Sequence, residues 1–199
     1  MAEEQPRVRK KIGCQQVLLK DSSVFSIQWM VLPATYIDTI TPSHLLDRYL
    51  NHVRLFTFSL IRPCQMGNQV EFRLLGTRFS LISFTGPTAH ASDRSQALSL
   101  SISGGVLVQK ENCHRGELTF ITKQIGNGLK VILQLSDFCP MLLGSESPSR
   151  LRKLLYRLTQ AYIHKIVTVQ FLARLYSDLE GVNLRVRVVK VKLREGEDT

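Results

Sequence analysis

The residues of this chain best able to do chemistry are its cations. Between positions 147 and 194 stand eleven Lys or Arg against two acids, Asp178 and Glu180, so this stretch carries +9 of the formal net charge of +10. Positive charge clustered this way attracts phosphates, anionic lipid heads or acidic protein surfaces. The candidate anion-binding residues are Arg150, Arg152, Lys153 and Arg157 at the start of a long helical pattern, and Arg185, Arg187, Lys190 and Lys192 on the strand pattern after it. Contacts from such residues to phosphates give affinity that falls steeply with salt. Tyr162 and Tyr176 fall in the apolar stripe of the helix and only Tyr156 and Phe171 flank it, so any nucleic-acid binding is expected to tolerate sequence. Cations at a helix start also oppose the helix dipole, which hints at an anion site. The competing reading is structural: charges on a final strand protect a sheet edge from aggregation.

Other chemistry is sparse. There is no Walker loop, no G-x-S-x-G elbow and no H-E-x-x-H, and Gly104-Gly105 reads as a bend in a strand. Cys113-His114 is the one close Cys/His pair, without a second pair at ligand spacing, so no metal site is expected. Cys14, Cys64, Cys113 and Cys139 lie far apart with no C-x-x-C, and reduced thiols are expected. His164 falls on the polar stripe of the long helix, where a solvated or rim histidine is expected. Glu71 and Glu117 are unpaired, unlike the two carboxylates of a glycosidase. No catalytic residue and no cofactor is therefore assigned. Phe56, Phe58, Phe72 and Phe120, with Tyr162, form the candidate lining of an apolar pocket, against the alternative that aromatic residues at alternating positions simply fill a core.

The elements that position these residues follow from pattern and punctuation. Residues 1–13 mix acids, Pro6 and the basic run Arg7, Arg9, Lys10, Lys11, and read as a flexible basic arm. Residues 16–19 and 24–32 read as a strand pair around the turn Lys20-Asp21-Ser22-Ser23. Thr41-Pro42 marks a helix start, and Leu45, Leu46, Tyr49, Leu50 and Val53 recur at helical spacing over 42–53. The period then changes to two, beginning with Phe56, Phe58 and Leu60, and short glycine-containing connectors predict an antiparallel meander. The longest connector, 86–95, reads as a mobile loop. Ser147-Pro148 starts the long helix and Gly181 ends it; its predicted buried stripe includes Leu151, Leu155, Leu158, Tyr162, Ile166, Val169, Ala173 and Tyr176. The final strand alternates with one change of register at Val188-Val189, which predicts a bulge.

Phe138-Cys139-Pro140, Leu143-Gly144, Leu155-Tyr156 and His164 resemble the last-strand-to-last-helix segment in bacterial branches of the START-like helix-grip superfamily, the fold of the birch-pollen allergens. The element order, one helix inside an antiparallel meander closed by a long helix, is similar to that superfamily as well. The resemblance implies an apolar cavity between sheet and helix that holds a lipid-like, aromatic or polyketide-like ligand.

The resulting expectation is an α+β protein: a curved antiparallel sheet wrapped around a long C-terminal helix, with a short helix at 42–53 and a strand after the long helix. One domain spans 14–194, followed by an acidic tail at 195–199. No apolar run approaches the ~20 residues of a membrane span, and a cytoplasmic location is expected. The expected function is a non-catalytic binding or accessory module for an apolar small molecule. Two alternatives stay open: sequence-tolerant nucleic-acid binding through the basic surface, with an acidic protein surface as another partner for it, and an enzyme acting on an apolar ligand.

Overall fold

The computed structural model describes residues 7–109, 116–144, 149–156 and 161–198. They form a ten-stranded sheet and three α-helices, α1 (Pro42–Phe56), α2 (Arg150–Tyr156) and α3 (Tyr162–Glu180). The central path of the sheet runs through β2 (Val24–Pro33), β8 (Gly128–Phe138), β7 (Glu117–Ile125), β6 (Ser95–Gly104), β5 (Ser80–Ser92), β4 (Gln69–Leu74) and β3 (Ile61–Met66), all antiparallel. At the β2 end the sheet is extended by β1 (Arg7–Leu18), on whose far edge lie β9 (Asn183–Lys190) and the two-residue β10 (Glu197–Asp198). The curved sheet wraps α3 with α1 beside it, the helix-grip arrangement expected from the sequence.

Alternation fixes which residues face the helices. Met30 and Leu32 on β2, Leu129, Val131 and Leu133 on β8, and Leu118 and Phe120 on β7 enter the main core with Leu45, Leu46 and Tyr49 of α1 and Phe171, Leu172 and Leu175 of α3. The opposite face carries a smaller buried cluster, Val17, Phe25, Ile27 and Ile132. The C-terminal tail lies against it, with the Arg194 guanidinium over the Phe25 ring at 4.3 Å.

Several local expectations hold. Thr41 caps α1 by accepting from the His44 amide at 3.2 Å, with Pro42 in the first turn. The β1–β2 hairpin closes where expected, with the Leu19 amide donating to the Ser23 carbonyl at 2.8 Å. Gly105 has φ +120 and sits so close to β5 that a Cβ there would lie 2.4 Å from the Leu81 carbonyl oxygen, which explains the glycine pair as a bend.

Others are corrected. Residues 7–13 belong to β1, because β9 supplies a parallel partner from Arg7↔Asn183 to Cys14↔Lys190; the arm reading had no view of that distant partner, and residues 1–6 lie outside the described residues. The β9 register is continuous across Val188 and Val189, so there is no bulge. Phe56 ends α1 and Phe58 lies in the turn after it, so the strand predicted there begins only at Ile61. The expected mobile loop at 86–95 is mostly a hairpin: β5 and β6 pair out to Ser92↔Ser95, with a bulge at Gly86-Pro87, where proline has no amide to give the ladder.

The long C-terminal helix is described as α2 and α3, with 157–160, Leu158 among them, outside the described residues. Its buried face also differs from the predicted stripe. Val167, Thr168, Val169, Phe171, Leu172, Leu175 and Tyr176 are buried, whereas Leu151 and Tyr162 are exposed and Ile166 is half-buried. The reason is that α3 is apolar on most of its circumference, as suits a helix held between sheet and α1, so periodicity does not single out one face.

Candidate functional site

A cavity of about 320 Å³ lies between the concave face of the sheet, α1 and the adjoining ends of α2 and α3. Its walls are mainly apolar: Val53 from α1, Ile61, Phe72, Ile82 and Leu135 from the sheet, and Ile163 and Val167 from α3. The polar residues reaching it are Gln16, Tyr49, Thr57, Tyr156 and His164. Thr57 is already committed, donating to the Val53 carbonyl at 2.8 Å and accepting from the Ile61 amide at 3.1 Å.

The electrostatics are those of a neutral pocket. Burial pushes the Tyr49 hydroxyl up to about 12, opposed by the side chain of Thr168. Thr168 is itself fully buried and its hydroxyl has no hydrogen-bond partner, so it lies near Tyr49 without bonding geometry. Tyr156 is also raised by burial, opposed by Gln16. His164 is lowered to about 4 by desolvation alone. The residue is half-buried, and its imidazole is neutral at pH 7. Gln16, only 7% exposed, donates through Nε2 to the Ala161 carbonyl at 3.2 Å, while its Oε1 has no partner. Tyr156, Gln16 and His164 thus give one end of the cavity its hydrogen-bonding character. No carboxylate lines the cavity among the described residues, so His164 has no acid to form a general acid–base pair there.

A second buried histidine lies between α1 and α3. His52 is 7% exposed, stacks on Phe56 with ring centroids 5.8 Å apart, and has no hydrogen-bond partner on either ring nitrogen. Desolvation and then Arg174 lower its pKa; the Val167 backbone opposes this from outside hydrogen-bond geometry.

The predicted pocket set is scattered. Phe72 lines the cavity, but Phe120 is fully buried core packed edge-on against Tyr49, and Phe56 stacks on His52 instead. Phe58 is 91% exposed and Tyr162 58% exposed, so neither lines it. Conversely, Gln16, Tyr156 and His164 were missed as lining residues, and His164 was assigned to the polar stripe. A signal for it exists: His164, Val167, Thr168, Phe171, Leu172 and Leu175 recur at spacings of three and four, an equally good helical stripe with His164 on it.

The predicted anion set also divides. Arg150 and Arg152 are exposed on α2; the Lys153 side chain and Arg157 lie outside the described residues. Arg185 and Arg187 are exposed and pair in register with Arg9 and Lys11 on the convex face, an array of four cations. Beside it the Trp29 ring packs close to Lys130 and Gly13. Lys130 Nζ lies 4.3 Å from the ring centroid, and a Cβ on Gly13 would fall 2.3 Å from the ring. Lys190 pairs with Cys14 and faces the helix side instead, because the register does not shift. It lines an edge pocket of about 430 Å³ with Lys192, Arg194 and Lys165.

Among the described residues no group of three or more metal-ligating side chains gathers, and Cys113-His114 lies outside them. Cys14 and Cys64 are free. Cys139 is disulfide-bonded, which corrects the expectation of reduced thiols. No described helix is long and apolar enough to cross a membrane.

No family model matches the chain, and no curated protein matches it. Among solved structures it is similar to the Aha1 dimer of Colwellia psychrerythraea, at 15% identity over 77% of this chain and 94% of that one, with a TM-score of 0.42. It is also similar to CalU16 of Micromonospora echinospora, at 12% identity over 87% of this chain and 86% of that one, with a TM-score of 0.36.

Proposed function

We propose that this protein is a binding module, without a catalytic centre, that holds an apolar small molecule in the cavity between sheet and helices. One observation carries the reading: a cavity of about 320 Å³ whose walls are mostly apolar, with a few polar side chains, Gln16, Tyr156 and His164 among them, reaching it. That volume lies within the range of about 300–1,000 Å³ found for small-molecule sites, and a few placed polar groups in an apolar wall are what orient a ligand. An environment-sensitive apolar dye tests it. The dye is expected to bind once per chain, and Leu135→Trp, which fills the cavity, is expected to abolish binding while the far-UV circular dichroism is retained. Unchanged dye binding by a folded Leu135→Trp variant sinks the proposal.

A second reading, sequence-tolerant nucleic-acid binding, is favoured by the in-register array of Arg9, Lys11, Arg185 and Arg187. Like charges set opposite one another cost stability, so their retention on one face supports a use for them. That use is contact with phosphates. Replacing Arg185 and Arg187 by Gln is expected to lower affinity for single-stranded DNA equally across sequences and to flatten its salt dependence. Unaltered affinity rejects this reading.

A further inference from the structure

The linings of the apolar cavity and the cationic edge pocket share one residue among those described, Gln16. Gln16 lines both: the cavity with Tyr156 and His164, and the edge pocket with Lys165, Lys190 and Lys192. At this shared position the Gln16 amide donates to the Ala161 carbonyl just before α3 at 3.2 Å. The consecutive residues His164 and Lys165 line different spaces, one the cavity and one the edge pocket. The Gln16 amide is nine-tenths buried, yet its Oε1 accepts nothing, a costly state for a buried carbonyl unless a ligand or water supplies the missing donor.

The edge pocket is held open by specific contacts. β9 leaves the edge of β1 after Lys190↔Cys14, and β10 returns to it at Val17↔Asp198. Between them the tail is pinned by Gln15, whose Oε1 accepts from the Leu193 and Arg194 amides at 2.7 and 3.0 Å and whose Nε2 donates to the Arg194 carbonyl at 2.6 Å. The guanidinium of Arg194 stacks on Phe25, and Lys192 lies 3.9 Å from the exposed Glu195. Lys165 is half-buried, so its charge is less screened than that of a free surface lysine.

We infer that the ligand of the cavity carries an anionic head group, a carboxylate or phosphate on an apolar body, with the body in the cavity and the head held beyond Gln16 by Lys165, Lys190 and Lys192. This inference rests on the cavity reading proposed above and names the ligand class for it. The apolar wall accounts for affinity without regard to charge, and the three lysines supply the preference for an anion. Reorientation of Gln16 opens the path between the two spaces and lets its amide bond the head group.

Isothermal titration with decanoate and decanol at pH 7.5 separates the two ideas. The wild type is expected to bind decanoate about tenfold more tightly than decanol, the worth of one charge-assisted hydrogen bond, with the difference shrinking as salt is raised. The triple variant K165Q/K190Q/K192Q is expected to bind both equally, with its decanol affinity unchanged. Lys165→Gln alone, the least disruptive of these changes, is expected to reduce the preference in part. Equal affinities in the wild type, or a preference that survives the triple substitution, overturn the head-group inference while leaving the cavity in place. Failure of decanol to bind at all removes the cavity reading itself.

Discussion

His164 gives a sharp test of how the cavity end is built. Desolvation lowers its pKa from 6.5 to about 4, so the folded protein carries a neutral imidazole that the unfolded chain protonates more readily. The sign follows from linkage: below pH 6.5 the unfolded state binds more protons, so stability falls with pH until the folded state also takes up the proton near 4. The interval between those two values corresponds to about 3 kcal/mol, a ceiling, because the half-buried residue keeps some contact with water. The perturbation is His164→Gln, which keeps much of the volume and cannot be protonated. Urea unfolding at pH 7.5 and pH 4.5 gives the acid loss for each protein, and the difference between the losses isolates His164. His52, whose pKa is lowered in the same direction, is present in both and cancels. The wild type is expected to lose more than the variant, by up to about 2.5 kcal/mol. Equal losses would mean that the imidazole is hydrated in the native state, and the cavity end would have to be redrawn.

Three further outcomes follow from particular contacts. Gly13→Ala places a methyl 2.3 Å from the Trp29 ring, so the indole must move off its seat; with one tryptophan in the chain, its emission is expected to shift, and overpacking to cost about 1–3 kcal/mol by urea unfolding. Phe120→Ala is expected to cost about 3–5 kcal/mol, whereas Phe58→Ser at a 91% exposed position stays within about 0.5 kcal/mol, and similar losses at both would contradict the placement of these rings. Replacing Arg185 and Arg187 by Thr removes like charges opposite Arg9 and Lys11 and is expected to raise stability by about 0.2–1 kcal/mol per pair at low salt, with the gain vanishing in high salt; a salt-independent change would assign it to strand propensity.

What the sequence disclosed was local. Thr41-Pro42 announced α1 because capping is settled within one turn, and Lys20-Asp21-Ser22-Ser23 announced the first hairpin because a turn needs only its own residues. The basic run from Arg7 to Lys11 was misread because its partner strand is at the other end of the chain. Alternation of Val8, Lys10 and Ile12 with Arg9 and Lys11 is a strand pattern only if something pairs with it, and β9 does. The buried face of α3 was misread for the opposite reason, an excess of apolar residues, and the error carried His164 to the wrong side. The cavity end is assembled from β1, α2 and α3, elements that meet only after the sheet has curled, so no spacing within one segment announces Gln16, Tyr156 and His164 together.

The same strand pairing that misled the sequence reading also connects the two kinds of chemistry. With β9 continuous in register against β1, odd positions of β1 and the arginines of β9 face outward, while Lys190 is brought to the side of Cys14 and Gln16. A bulge at Val188-Val189 would have put Lys190 and Lys192 on one face with Arg185 and Arg187, making one large basic surface and leaving the edge pocket without two of its lysines. The unbroken register therefore divides the charge of β9: its arginines join a four-cation array on the convex face, and Lys190 joins an edge pocket that shares Gln16 with the apolar cavity. Inserting one residue after Val188 is expected to reverse that division. The insertion should reduce the preference of the protein for decanoate over decanol to the share that Lys165 supplies from α3, with decanol binding retained, and an unchanged preference would show that the lysines of the tail act from the flexible reach of their side chains and not from the register of the strand.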